Sequence, residues 1–256
     1  SLTKDEHIGT GTIIYKDYSK NKAKFFLVTC KHVLPARSTS QVIKFAIHND
    51  SSKTEITTLT IKIYDSLKNP MPYVLFDRLG EDVAVIDITH IFVDAPLKNL
   101  STKPIPYTLL ATRDSLKLYN VQVGDEVLFA GYPNFYYNIV NQRPILRSGV
   151  ISTPPEDEIY FDSILIKIYN KSKANLKPIN GFLIDANVAG GSSGSLVFLR
   201  PKIIRNLNGV MQYNLSSEDP MILGILSDSY FGINNSENPR INLGGVISSD
   251  VIKRII

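Results

Sequence analysis

Short apolar runs separated by turn residues are the feature that most constrains the fold of this chain. None of the runs in its first half has a sustained helical period. Many short strands with turns at close spacing predict an all-β barrel or sandwich. We therefore expect an all-β fold of two lobes with about six strands each. The predicted strands are residues 9–15, 24–29, 42–47, 55–64, 74–76 and 83–88, followed by 126–131, 145–153, 158–169, 181–184, 195–199, 221–226 and 245–247.

A proline-containing segment divides the two sets of strands. Residues 92–107 carry Pro96, Pro104 and Pro106 with polar residues between them, which is typical of a connection over a surface. The predicted domains are thus an N-terminal lobe, residues 1–105, and a C-terminal lobe, residues 106–256. Residues 249–256 predict a terminal helix, with Ser248 or Ser249 as N-cap and Asp250 in the first turn.

Composition excludes several classes of function. The 256 residues are 43% hydrophobic and 20% charged, and 28 basic against 24 acidic residues leave a mild, dispersed net charge of +4. We therefore expect no nucleic-acid partner, and no apolar run of membrane-spanning length predicts a membrane partner. The single cysteine, Cys30, allows no disulfide within the chain and excludes a metal site built on cysteine ligands.

Cysteine use also bears on localisation. A fold without disulfides favours a reducing compartment, so a cytoplasmic location is expected. No signal peptide is visible, but the chain begins at Ser1 rather than Met, which leaves a larger parent protein open.

A glycine-rich turn lies between two apolar runs at residues 187–198. Gly190, Gly191 and Gly194 allow positive φ angles there. Such a turn can hold the Ser193 hydroxyl outward with backbone N–H groups converging beside it, as attack on a carbonyl requires. An ordinary Gly/Ser loop is the alternative interpretation of this stretch taken alone.

Two further residues have the chemistry of a proton relay. His32 ends a buried strand, and Asp82 directly precedes the apolar run 83–86. Each has an ordinary structural interpretation, because a histidine at a strand end is often structural and an aspartate often caps a strand. Asp77 and Asp87 are alternative acids. The chain order His32, Asp82, Ser193 is the histidine–aspartate–serine order of chymotrypsin-type enzymes.

At these residues the sequence resembles the trypsin-like serine peptidases, and most of all the bacterial, disulfide-free branch that includes the HtrA/Deg protease domains. The resemblance extends over nearly the whole chain. Its motifs are Gly-Thr-Gly-Thr-Ile-Ile at 9–14, Val-Thr-Cys-Lys-His-Val at 28–33, Glu-Asp-Val-Ala-Val-Ile at 81–86, residues 123–133, Arg-Ser-Gly-Val-Ile-Ser at 147–152, Ala-Gly-Gly-Ser-Ser-Gly-Ser at 189–195 and Leu-Gly-Ile-Leu-Ser at 223–227.

The resemblance implies an all-β, trypsin-like fold of two six-stranded antiparallel β-barrels with a short C-terminal helix. It also implies a serine endopeptidase acting on a protein or peptide substrate, with no metal or cofactor. Its catalytic residues would be His32, Asp82 and Ser193, with Gly191 and Ser193 as the oxyanion hole. Activity is expected to rise across roughly pH 6–8 as the histidine loses its proton. The resemblance also implies a specificity pocket without an acid at its base, hence a neutral P1 residue. Its substrate-binding residues would be Asn187, Val188, Ser227, Asp228 and Ser229.

Some positions depart from the family pattern. Ser195 replaces a usual glycine, and Ser192 replaces the aspartate that anchors a cleaved N-terminus, so activation of a zymogen is not expected. No PDZ-like segment follows, so HtrA-like regulation is not expected either.

Other functions stay open at this point. They are a catalytically silent binding module of the same fold, a domain that needs an activating partner, and an esterase for small acyl groups. A cysteine protease is disfavoured because the nucleophile position is serine.

Overall fold

A strand that is covered on both faces explains the continuous apolar run at residues 25–28. The computed structural model describes residues 9–20, 22–36, 41–48, 56–94, 103–133, 143–157, 180–201, 204–207, 210–213, 220–231 and 240–256. In the strand Lys22–Thr29, Phe26 and Val28 face one apolar cluster while Leu27, between them, faces another. Successive residues of a strand point to opposite faces. A strand covered on both faces therefore has apolar residues throughout.

The N-terminal half forms a five-stranded sheet in the order β5-β6-β2-β1-β7 and a separate hairpin of β3 and β4. β7 pairs with β1 in parallel, and the other pairs are antiparallel. The strands are β1 (Thr12–Ser19), β2 (Lys22–Thr29), β3 (Val42–His48), β4 (Ile56–Lys62), β5 (Val74–Phe76), β6 (Ala84–Asp87) and β7 (Ile105–Pro106).

The C-terminal half contains a closed antiparallel barrel in the order β10-β15-β14-β11-β8-β9. A hairpin of β12 and β13 lies outside it. The strands are β8 (Glu126–Gly131), β9 (Ile145–Ile151), β10 (Gly181–Asp185), β11 (Leu196–Leu199), β12 (Ile204–Leu207), β13 (Val210–Tyr213), β14 (Ile222–Phe231) and β15 (Arg240–Ser248). This half therefore confirms one of the two predicted six-stranded barrels.

The predicted second barrel is not confirmed, because the described part of the N-terminal half is an open sheet with one parallel pair and a detached hairpin. The predicted strand at 158–169 lies outside the described residues. The hairpin of β12 and β13 was not predicted.

Among the described residues, three short α-helices accompany the strands: α1 (Thr89–Asp94), α2 (Arg113–Leu118) and α3 (Ser249–Ile255). α3 is the predicted terminal helix, with the Ser248 hydroxyl accepting from the Asp250 N–H at 3.3 Å. α1 and α2 were not predicted, since six residues are too few for a helical period to show. No helix among the described residues has the length and apolar character needed to cross a membrane.

The two halves share an apolar core. Ile14, Val28 and Val85 of the first sheet belong to one cluster with Ile225 of β14 and Ile252 of α3. All five are buried. Burying apolar surface stabilises such a junction by about 25 cal/mol per Å². β2, β6 and β14 therefore meet at this junction.

Candidate active site

Strand pairing brings His32 and Asp82 together. β2 and β6 are antiparallel neighbours with Thr29 opposite Ala84, so the segment that follows β2 lies beside the segment that precedes β6. His32 Nδ1 is 2.5 Å from Asp82 Oδ2, and the His32 backbone N–H donates to Asp82 Oδ1 at 2.9 Å. The carboxylate thus fixes both the ring and the backbone of the histidine.

A β-bulge directs a third donor at the same carboxylate. β14 pairs Leu226 with Val246 and Asp228 with Gly245, so Ser227 is the additional residue of a register shift. Bulges often redirect a side chain near an active site. The Ser227 hydroxyl donates to Asp82 Oδ2 at 2.6 Å.

The hydrogen bonds around Asp82 favour its ionised form. Burial alone raises the pKa of the Asp82 carboxyl, but the donors on His32 and Ser227 hold this pKa below its ordinary value. Hydrogen bonds to the charged form of an acid lower its pKa in this way. Asp82 is therefore a carboxylate that can balance a positive charge on the imidazole.

The two alternative acids have other partners. Asp77 accepts from Arg254 Nε at 2.6 Å. Asp87 lies 3.6 Å from Lys24 Nζ and accepts from the Thr89 hydroxyl. Asp82, by contrast, bonds the histidine ring directly.

The glycine-rich stretch forms a tight loop around Ser193. Gly191 has φ +85° and Gly194 has φ +90°, a backbone conformation that favours glycine. The half-buried Ser193 donates from its hydroxyl to the Ser227 carbonyl at 2.9 Å. Ser227 therefore links Ser193 to Asp82, so His32, Asp82 and Ser193 belong to one hydrogen-bonded group.

Thr10 supports this loop from the first half of the chain. Its N–H donates to the Ser193 carbonyl at 2.8 Å, and its hydroxyl donates to the Gly191 carbonyl at 2.9 Å. The Thr29 hydroxyl in turn donates to the Thr10 carbonyl at 2.8 Å. The sequence signal for Thr10 is only its place in the Gly-Thr-Gly motif, and its supporting role was not predicted.

Two N–H groups of the loop are suited to an oxyanion. Among the hydrogen bonds of the described residues, none has the N–H of Gly191 or of Ser193 as its donor. The Gly191 and Ser193 carbonyls are both held by Thr10, which fixes the peptide planes of the loop. Two backbone donors of the loop are therefore available to a bound group.

The sequence profile of the trypsin-like peptidase domain matches residues 9–201, which include His32, Asp82 and Ser193. The chain belongs to the trypsin-like peptidase family. A solved structure similar to this peptidase domain is the apo form of the MamO protease domain from Magnetospirillum magneticum. It is 10% identical and the match covers 99% of this chain and 98% of that chain, with a TM-score of 0.48. No curated protein matches the sequence significantly.

The predicted pocket residues of the peptidase domain differ in their surroundings. Asn187 is exposed, whereas Val188 is buried in the core of the C-terminal barrel. Val188 packs tightly on Gly244, where an added Cβ would lie 2.7 Å from Val188 Cγ2. The side chains of Asp228 and Ser229 lie outside those that the structure describes. Of the predicted pocket residues whose side chains the structure describes, Asn187 and Ser227 are polar and Val188 is apolar.

One set of potential metal ligands in the peptidase domain overlaps the candidate site. Ligand atoms of Cys30, His32 and Asp82 lie within 4.8 Å of one another. This set was not expected, because a chain with one cysteine had excluded a metal site built on cysteine ligands. Two ligands of a tetrahedral zinc ion lie about 3.4 Å apart at ordinary bond lengths. The His32–Asp82 contact of 2.5 Å is instead that of a hydrogen bond. The residues as arranged fit a hydrogen-bonded pair better than a metal centre.

Proposed function

We propose that this trypsin-like peptidase domain is a serine endopeptidase that cleaves peptide bonds through an acyl-enzyme intermediate. The observation that supports this most is the hydrogen-bonded group of His32, Asp82, Ser227 and Ser193 beside two available backbone N–H groups. An ordinary Gly/Ser loop would not need a histidine and a carboxylate beside it.

The mechanism follows from the roles of these groups. The Ser193 hydroxyl turns from the Ser227 carbonyl toward His32, which takes its proton as Ser193 Oγ bonds to the carbonyl carbon of the substrate. The N–H groups of Gly191 and Ser193 then bind the resulting oxyanion, a donor of this kind being worth roughly 3 kcal/mol. His32 returns the proton to the leaving amine as the carbon–nitrogen bond breaks, and Asp82 stabilises the imidazolium throughout.

Hydrolysis of the acyl-enzyme repeats the same steps with water. His32 takes a proton from the water as it attacks the ester carbon. It then returns a proton to Ser193 Oγ as the ester bond breaks. This second half regenerates the free hydroxyl.

We propose a neutral P1 residue because the predicted pocket residues whose side chains the structure describes, Asn187, Val188 and Ser227, carry no charge. Without an opposite charge beside it, a basic P1 side chain would lose hydration on binding without gaining a partner. A cleavage profile from a peptide library with basic P1 residues predominating would contradict this proposal.

A second candidate function is a silent or partner-activated binding module. The observation that favours it is the Ser193 hydroxyl, which donates to the Ser227 carbonyl rather than to the histidine. If that bond persisted, the hydroxyl could not transfer its proton to His32.

Labelling with a fluorophosphonate probe separates the two candidates. We expect the wild-type protein to be labelled on Ser193 and the Ser193→Ala and His32→Ala variants to lose labelling. Ser195→Ala is the matched control, since its buried hydroxyl has no hydrogen-bond partner among the described residues. It should keep the labelling rate. A wild-type protein that never reacts, or reacts elsewhere, would favour the binding module.

A further inference from the structure

The loop that presents Asp82 is anchored by the C-terminal helix. We call residues 77–82, between β5 and β6, the aspartate loop. Asp77 has a side chain only 1% exposed, and its Oδ1 accepts from Arg254 Nε of α3 at 2.6 Å. Its Oδ2 accepts from the Glu81 N–H at 3.1 Å. The Asp77 carboxylate therefore connects α3 to the residue before Asp82.

A second anchor lies at the other end of the aspartate loop. Glu81 is 5% exposed, and its Oε1 accepts from the backbone N–H and from Nδ2 of Asn180, at 3.2 and 3.1 Å. The Asn180 carbonyl accepts from the N–H of Ser248, the N-cap of α3, at 2.8 Å. Both ends of the loop are thus held by residues of the C-terminal half.

The cost of burying these carboxylates shows why the anchors matter. A buried carboxylate without a partner is strongly destabilising. Burial alone raises the pKa of Asp77, but the hydrogen bond from Arg254 keeps this pKa below its ordinary value. The loop can therefore stay in this position only while its partners in the C-terminal half are present.

The anchors also relate the two halves of the candidate site. His32 and Asp82 come from the N-terminal half, while Ser227 and Ser193 come from the C-terminal barrel. The Ser227–Asp82 bond of 2.6 Å crosses between them. Because Asp82 follows Glu81 directly, a shift of the aspartate loop would move its carboxylate relative to Ser227 and His32.

We propose that Asp77 and Glu81, held by Arg254 and Asn180, are positioning residues that set the Asp82 carboxylate against His32. They contact neither the substrate nor the reacting atoms. This role rests on the proposed peptidase function. In this proposal α3 has two roles: it packs in the shared core, and through Arg254 it helps to position the proton relay.

Two substitutions test this positioning, each with a matched control. Arg254→Gln removes the charged partner of Asp77, and Arg200→Gln does the same to the exposed Glu126. Asn180→Asp places a second carboxylate beside Glu81, and Asn69→Asp does the same beside the half-buried Asp65.

The first measurement is the rate of fluorophosphonate labelling, at a temperature where each variant is fully folded. Small displacements of catalytic groups can cost up to about a hundredfold in rate. We therefore expect about a 10- to 100-fold loss for Arg254→Gln and Asn180→Asp and no change for the two controls. Arg254→Lys should recover part of the loss, because it restores the charge without the planar guanidinium.

The second measurement does not depend on activity. The proton between His32 Nδ1 and Asp82 should give a low-field ¹H NMR resonance, which Arg254→Gln and Asn180→Asp should shift or abolish. If both variants keep the labelling rate and the resonance of their controls, the positioning role is wrong even when their melting temperatures fall. If the wild type never labels, the peptidase proposal fails and the resonance alone decides the positioning role. If Arg254→Gln does not fold, Arg254→Lys and Asn180→Asp decide it by the same criteria.

Discussion

Gly194→Ala is expected to displace the nucleophile loop. Gly194 has φ +90°, and a Cβ added there would lie 1.9 Å from the Thr10 carbonyl oxygen and 2.7 Å from Thr29 Oγ1. The Thr10 oxygen belongs to the backbone and is fixed by the Thr29 hydroxyl, so it cannot rotate away. The loop and the Thr10 segment must therefore separate. The hydrogen bond from the Thr10 N–H to the Ser193 carbonyl must then lengthen or break.

The size of the effect can be worked from two contributions. A non-glycine residue at positive φ costs about 1–2 kcal/mol. Forcing an additional methyl group into a packed site costs about 1–3 kcal/mol more. For a chain of this length each kcal/mol lowers the melting temperature by about 2–4 °C, so we expect a fall of about 4–20 °C. The required displacement of about 1 Å should slow labelling of Ser193 about a hundredfold.

Gly124→Ala is the matched control for backbone strain. Gly124 has φ +94°, but an added Cβ there meets nothing within 4 Å. It should lower the melting temperature by only about 2–8 °C and leave labelling unchanged. The assays are thermal unfolding and the fluorophosphonate labelling rate. If Gly194→Ala labels as fast as Gly124→Ala, the close contact with Thr10 does not position the nucleophile and the reasoning is refuted.

Three further outcomes follow from other contacts of the site. Thr10→Val removes the hydroxyl bond to the nucleophile loop and should slow labelling about tenfold. The control is Thr112→Val, which removes only the capping hydroxyl of α2 and should cost about 1 kcal/mol of stability while leaving labelling unchanged. Equal labelling rates in Thr10→Val and Thr112→Val would contradict a role of Thr10 in holding the loop. Asp77 has a lowered pKa in the folded protein, so the unfolded chain takes up a proton first as the pH falls. The contribution of Asp77 to the unfolding free energy is therefore lost as the pH falls below its ordinary pKa of 3.8. In Asp77→Asn the melting temperature should fall less steeply as the pH is lowered. If the wild type and the variant show the same slope of melting temperature against pH, this prediction is wrong. Ser227→Ala removes a donor from the Asp82 carboxylate and should raise the pKa of Asp82, as read by ¹³C NMR of that carboxyl; an unmoved titration would exclude the bond.

The family profile confirms the predicted membership in the trypsin-like peptidases, and the barrel of β8–β11, β14 and β15 confirms half of the predicted architecture. These features could be predicted because the alternation of apolar and polar residues, the turn residues and the chain order of the motifs are all visible in the sequence itself. The division at residue 105 and the catalytic roles of His32, Asp82 and Ser193 stay predictions. The open N-terminal sheet was missed because an alternating pattern does not say whether the edges of a sheet pair with each other.

The sequence by itself determined where most of the strands form, although not the hairpin of β12 and β13, and which residues can do acid–base or nucleophilic chemistry. The tertiary structure decided which aspartate bonds His32. Asp77 and Asp82 both lie in the loop between β5 and β6, and only the pairing of β2 with β6 and the bulge at Ser227 distinguish them. It also decided that Thr10 holds the nucleophile loop and that Arg254 and Asn180 hold the aspartate loop. The physical reason is that these hydrogen bonds join residues far apart in the chain, and their 2.6–3.1 Å geometry exists only once the two halves have packed on their shared core.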